Sequence, residues 1–235
     1  EEKTLEKNYR PVSLLPVISK LFERHMYDEI ITFVENSLSA YLFGFRNGHS
    51  AEQCLLVMME NWKKILDKKG YAGAILTDLS KAFDCLNHDL LLAKLEAYGF
   101  SEDALVYIYS YLKNRKQRTK VQSEYSNWLE IKYGVPQGSV LSNIFMNDMF
   151  YFAKDIGIAS YADDTTPYYM EEDITKLLDK LEKETNGLIE WFKLNEMKLN
   201  EDKCHLLISK PVYSSVKIGG VEITNEPNVK LLGIT

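Results

Sequence analysis

"SYADDTTPYY", residues 160–169, sets Asp163 beside Asp164 with no lysine or arginine within several positions of either. Two like charges ~4 Å apart repel by about 4 kcal/mol at an effective dielectric of ~20, so a fold that keeps such a pair usually supplies a cation. The same residues also suit a turn, because short acidic and hydroxyl side chains hydrogen-bond their own backbone. The pair alone leaves both readings open. The runs on either side of Ala162 to Thr165 are rich in β-favouring residues and predict a hairpin with the acidic pair at its tip.

Composition narrows the class. The 235 residues are 46% hydrophobic and 12% aromatic, enough for a sizeable core in one or two domains. No apolar run approaches the ~20 residues of a membrane span, and the charged start "EEKTLEKNYR" is unlike a signal peptide. An intracellular chain, neither secreted nor membrane-bound, is expected. Cys54, Cys85 and Cys204 are odd in number, widely spaced and without a Cys-x-x-Cys pair, so they read as small buried hydrophobes. The net charge of -6 lacks the basic footprint of a nucleic-acid binder. Charge is uneven, however: "KNRKQRTK" at 113–120 concentrates five cations, while acid gathers in "EEDITKLLDKLEKE" at 171–184. The basic run reads either as a solvated helix end or as a phosphate track.

Periodicity predicts alternating helices and strands. Ile18, Leu21, Phe22, Met26, Ile30, Phe33 and Val34 share one helical stripe, and Ser50 with Gln53 forms a capping box that opens a second helix. "YAGAILTDL" reads as a buried strand ending at Asp78. Two helices follow, the first closed by Gly99 and the second opened by Ser101. A hairpin is expected in "QRTKVQSEYSNWLEIKYG", a loop in "GVPQG", a helix from Ser139, and a long amphipathic helix over about 172–194. The tail from Cys204 alternates strands around Gly219-Gly220. The class is mixed α+β, with strands flanked by helices.

Asp78 ends a buried strand and Asp163 and Asp164 cap a hairpin, so one sheet is able to gather all three carboxylates. Such a cluster suits two divalent cations ~3.5–4 Å apart that clamp the attacking and leaving oxygens of a phosphoryl transfer. Magnesium is the natural ion, since it takes few protein carboxylates and completes its octahedron with phosphates and water.

Five ordered stretches then carry a resemblance. "DLSKAFD" at 78–84, "GVPQGSVL" at 134–141, "YADD" at 161–164, "KLNEDKC" at 198–204 and "KLLGIT" at 230–235 resemble motifs A to E of reverse transcriptases. "NYRPVSLLPVISKLFE" and "FGFRNGHS" resemble the fingers segments of the non-LTR, LINE-like retrotransposon branch. The resemblance spans essentially the whole chain. It implies a right-hand polymerase with an antiparallel palm sheet backed by helices, the fingers over 1–70 and the palm over 71–235, with 86–134 partly completing the fingers.

It also implies roles. Asp78 and Asp163 would hold two magnesium ions, with manganese as a substitute. Asp164 would support the cluster, and the Leu79 carbonyl would add a ligand. Phe83 matches the steric gate that excludes a 2′-hydroxyl, which favours DNA over RNA synthesis. Gln137 and Gly138 would border the incoming deoxynucleoside triphosphate, and Arg10 would grip its phosphates. Lys203 matches a general acid for the leaving pyrophosphate, with a surface ion pair to Asp202 as the alternative. Arg46 would touch the template strand. Arg115, Lys116, Arg118 and Tyr161 would contact nucleic acid, and Leu231, Leu232 and Gly233 match the primer grip. The implied partners are an RNA template and a DNA primer, in a nuclear or cytoplasmic ribonucleoprotein.

Two departures stand out. After Leu141, about four residues usual in the family are missing, close to one helical turn, which shortens the expected helix by ~6 Å. The chain also stops at Thr235, directly after motif E, so a fingers-and-palm piece without its thumb is expected, with an endonuclease domain elsewhere on a parent polyprotein. A catalytically silent nucleic-acid-binding remnant is the alternative reading.

Overall fold

The computed structural model describes residues 14–79, 82–135 and 139–231. Its centre is a sheet buried on both faces. Strand β1 (Tyr71–Leu76) is apolar at nearly every position, and such a run is stable only when covered on both sides. It pairs antiparallel with β7 (Asp164–Glu171) on one edge and β8 (His205–Ile208) on the other; β6 (Gly157–Tyr161) extends the sheet beyond β7. The order is β6-β7-β1-β8, and every pairing is antiparallel.

Side chains alternate along β1, and the two faces meet different helices. Ala72, Ala74 and Leu76 pack with Cys54, Met58 and Trp62 of α2 (Ala51–Leu66). On the opposite face, a Cβ on Gly73 would press on Leu177 and Leu181 of the long helix α6 (Ile174–Leu194). Helix α2 opens with the expected capping box, in which Ser50 Oγ accepts from Gln53 N–H and the Gln53 side chain accepts from Ser50 N–H. Asp173 caps α6 by accepting from Lys176 N–H.

Helices α3 (His88–Ala97) and α4 (Glu102–Leu112) follow β1, capped by Asn87 and Ser101. Gly99 between them takes φ 90°, the left-handed conformation that closes a helix. The expected hairpin past α4 is a slender arm of two short ladders. Its outer ladder pairs β2 (Lys116–Gln117) with β5 (Leu129–Glu130), and its inner one pairs β3 (Lys120–Val121) with β4 (Glu124–Tyr125). Helix α5 (Val140–Met146) has seven residues, all buried. Strands β9 (Ser215–Ile218) and β10 (Val221–Thr224) form the last hairpin, turning at Gly219-Gly220.

Two expectations change. Helix α1 (Val17–Val34) buries Met26, Ile30 and Val34, but Ile18 and Leu21 are 81% and 69% exposed, because the early part of the helix meets α4 through Phe22, whose ring packs on Tyr107 and Tyr111, and the Ile18 and Leu21 side chains lie outside that contact. Cys54 and Cys204 are buried as expected, whereas Cys85 is exposed, since it lies in the bend between β1 and α3.

Candidate active site

The β1–β7 register carries the argument. Tyr71 faces Glu171 and Ala74 faces Tyr168, and the same register reaches Thr77, which bridges to Thr165. Thr77 donates to the Thr165 carbonyl from its backbone N–H at 3.1 Å and from Oγ1 at 2.6 Å. One residue further, the register sets Asp78 opposite Asp164. Directly opposed residues of an antiparallel pair have Cα atoms about 4.5–5.5 Å apart.

The β6–β7 turn is tighter than expected. Tyr161 pairs with Asp164, so the turn proper is Ala162-Asp163 and Asp164 already belongs to β7. Ala162 takes φ 57°, a left-handed conformation disfavoured for a residue with a Cβ. Asp163 is half-buried and Asp164 exposed.

A third segment closes on Asp78. Leu79 bridges to Leu199, which brings Asn200 across: its N–H donates to the Asp78 carbonyl at 2.8 Å and its Nδ2 to Asp78 Oδ2 at 3.0 Å. Lys203 Nζ lies 3.5 Å from the same Oδ2 and pairs with Asp78. Asn200 was not singled out from the sequence; its signal was its place in "KLNEDKC", which the bridge folds back onto β1. Burial pushes up the Cys204 thiol, which donates to the Asn200 carbonyl.

Among the described residues, no group of three or more His, Cys, Asp and Glu side chains converges to hold a metal ion. Asp78, Asp163 and Asp164 offer hard carboxylate oxygens, the donor type that divalent cations such as magnesium take. The spot beside Asp78 already draws in an ammonium group.

Phe83 lies in the short helical turn after β1, and its carbonyl accepts from Val135 N–H at 3.0 Å. Gly134 takes φ 85°, and a Cβ there would meet the Asp84 carbonyl at 2.7 Å, so the "GVPQG" loop begins in direct backbone contact with the Asp78–Asp84 segment. Phe83 is half-buried and meets Phe45 edge-on, with ring centroids 5.8 Å apart. Leu79 is buried. Arg10, Gln137, Gly138, Leu232 and Gly233 lie outside the described residues.

The nucleic-acid candidates separate. Arg46, expected at the template, is turned inward with its side chain 7% exposed: NH1 donates to the carbonyls of Ser39 at 2.8 Å and Leu42 at 3.0 Å, and NH2 pairs with Glu35. A guanidinium supplies the fork that this bend of backbone needs, which the sequence had no means of indicating. The basic run is not a helix end either. Lys113 is the C-cap of α4, and the remaining cations lie beyond it on the arm. There Arg118 stacks on Tyr125 at 4.1 Å and Trp128 at 4.7 Å, Arg115 lies 5.7 Å from the Tyr111 ring, and Lys116 is exposed. Tyr161 and Leu231 are half-buried against the α2 side of the sheet.

Comparison with known proteins identifies the family. The profile of the family described as "Reverse transcriptase (RNA-dependent DNA polymerase)" matches residues 1–235. The chain is 30% identical over 247 residues to the probable RNA-directed DNA polymerase from transposon BS of Drosophila melanogaster, covering 97% of this chain and 27% of that protein. It is 29% identical over 244 residues to the RNA-directed DNA polymerase from mobile element jockey of the same fly, covering 97% and 26%. The chain thus spans about a quarter of the length of these relatives. In fold it resembles apo telomerase from Candida tropicalis truncated from its C-terminal domain, with TM-score 0.56, 14% identity, and coverage of 92% of this chain and 44% of that one. The strand register that opposes Asp78 and Asp164 thus occurs in a chain that belongs to the reverse transcriptase family, related to the non-LTR retrotransposon enzymes.

Proposed function

We propose that this chain is the catalytic core of an RNA-directed DNA polymerase, extending a DNA 3′ end along an RNA template. The observation that carries the reading is the register that puts Asp78 opposite Asp164 at the open end of the sheet. Asp78, Asp163 and Asp164 would hold two divalent ions, magnesium or manganese, which when bound lower the cost of negative charge on the attacking and leaving oxygens. The primer 3′-hydroxyl gives its proton to water and its oxygen bonds to the α-phosphorus of a deoxynucleoside triphosphate, while the bond from that phosphorus to the pyrophosphate oxygen breaks and the leaving oxygen takes up a proton.

The protein's own groups orient these partners. Asn200 fixes the Asp78 carboxylate by a 3.0 Å hydrogen bond, so its lone pairs are aimed before substrate arrives. Lys203 has a flexible stem and a 57% exposed side chain, and its ammonium lies 3.5 Å from Asp78 Oδ2; it would donate a proton to the leaving pyrophosphate. Phe83, braced edge-on by Phe45, presents an aromatic surface where the sugar of the nucleotide would sit. Arg10, Gln137 and Gly138 would complete the nucleotide site, and Leu231, Leu232 and Gly233 the primer grip. Residues 1–70 act as fingers and 71–235 as palm, with 86–134 partly completing the fingers.

Primer extension by the purified chain on poly(rA) with an oligo(dT) primer tests the reading. Asp163→Asn should abolish extension without unfolding the chain; full activity in that variant would overturn the assignment. A nucleic-acid-binding remnant without turnover is the second reading, favoured by the seven-residue α5. It predicts template binding with no extension by the wild-type chain.

A further inference from the structure

The left-handed turn that carries Asp163 is held by a seat built from two other parts of the chain. The segment Tyr41–Phe43 runs alongside β6: Phe43 N–H donates to the Ser160 carbonyl at 2.8 Å and Ser160 N–H to the Tyr41 carbonyl at 3.3 Å. This lays Gly44 directly on the turn. A Cβ on Gly44 would lie 2.2 Å from the Ala162 nitrogen and 2.8 Å from its Cα, far inside any real contact. Gly44 does not have a positive φ, so the requirement is for space and not for backbone freedom. The obstacle is backbone, which has no rotamer with which to yield.

Gly44 is itself fixed. Its carbonyl accepts a 2.7 Å hydrogen bond from Asn143 Nδ2, and Asn143 is 2% exposed in the middle of α5. A disfavoured φ such as that of Ala162 persists only where its surroundings over-determine it. Here the surroundings are a glycine peptide pressed against the turn and a buried amide that anchors that peptide.

We propose that Gly44 and Asn143 are positioning residues for the carboxylate turn: Asn143 fixes the Gly44 peptide, and that peptide holds Ala162 left-handed and so aims Asp163 and Asp164. The inference rests on the metal-dependent reading above and adds that the fingers-side segment and α5 together set the geometry of the acidic pair. Neither residue is one of the carboxylates that would hold the ions.

The test compares the full chain with Gly44→Ala, Asn143→Leu and Gly48→Ala. Gly48 lies in the same loop with φ 73°, but a Cβ there meets nothing within 4 Å, so it controls for losing a loop glycine. Asn143→Leu keeps the volume while removing the donor. Mn2+ binding is measured by paramagnetic resonance of the free ion, and hydrogen exchange is followed over residues 159–166. Gly44→Ala and Asn143→Leu should each weaken Mn2+ binding at least tenfold and speed exchange across the turn at least tenfold, while Gly48→Ala does neither. Should Gly44→Ala fail to fold, Asn143→Leu decides by the same two readouts. Mn2+ binding within twofold of wild type together with unchanged turn exchange overturns the proposal. If wild type binds no Mn2+, or Asp163→Asn does not weaken that binding, the metal reading fails instead; exchange over 159–166 then decides the seat alone, with faster exchange supporting it and unchanged exchange overturning it.

Discussion

Arg46→Ala separates two physical roles for one residue. The guanidinium donates to the carbonyls of Ser39 and Leu42 and pairs with Glu35, with its side chain 7% exposed. Hydrogen bonds from a charged donor contribute about 1.5–3 kcal/mol each, so removing the two bonds to carbonyls costs roughly 3–6 kcal/mol. The Glu35 pair adds little, because that carboxylate is 43% exposed and screened by water. Against this stands the desolvation of the guanidinium, whose Nε is buried without a hydrogen-bond partner among the described residues. A net loss of about 3–4 kcal/mol follows. At roughly 2–4 °C per kcal/mol for a chain of this size, the melting temperature should fall by about 10 °C. Arg46→Lys should recover less than half of that, since one ammonium nitrogen replaces the two guanidinium nitrogens that reach the carbonyls and Glu35 separately. Thermal melting followed by circular dichroism, paired with a salt titration of binding to an RNA–DNA hybrid, reads both roles. A template-binding role instead predicts an unchanged melt and a salt slope shallower by ~0.9, the share of one neutralised phosphate. That pattern would refute the structural role.

Phe83→Val should raise ribonucleotide incorporation relative to deoxynucleotide incorporation by opening space beside the sugar; an unchanged ratio in single-nucleotide extension returns Phe83 to packing against Phe45. Neutralising Arg115, Lys116 and Arg118 together should flatten the salt slope of nucleic-acid binding by about 2–3, at ~0.9 for each phosphate no longer neutralised, with nucleotide selectivity intact; equal slopes in wild type and variant would mean that the arm touches no phosphate. A thiol reagent at pH 8 should modify one cysteine quickly, the exposed Cys85, because burial pushes the Cys54 thiol up to about 12 and also raises Cys204; three equally fast thiols would contradict the burial. The folded state therefore favours protonated Cys54. Its stabilising contribution is fully present below the ordinary thiol value near 9 and is lost as the pH rises from there towards 12, so Cys54→Ala should blunt the alkaline fall in melting temperature.

What the sequence determined by itself is local chemistry and period. The apolar run 71–76 reads as a covered strand, Ser50 and Gln53 could cap a helix without outside help, and the β-favouring runs around Asp163 predict a hairpin. Each of these depends on neighbours within a few positions, and residue type states them directly. The same holds for the acidic residues themselves, whose identity and order carried the family resemblance. What only the tertiary structure decided is the meeting of segments far apart in the chain. Asn200 reaches Asp78 because Leu79 bridges to Leu199, 120 residues later. Gly44 meets Ala162 because the Tyr41–Phe43 segment adds to β6. Arg46 turns inward because the bend brings the Ser39 and Leu42 carbonyls and the Glu35 carboxylate together around it. An arginine looks the same in sequence whether it grips its own backbone or a phosphate. Position along the chain fixes which groups are present; packing fixes which of them meet, because close approach depends on the joint fit of several elements and not on any one residue's preference.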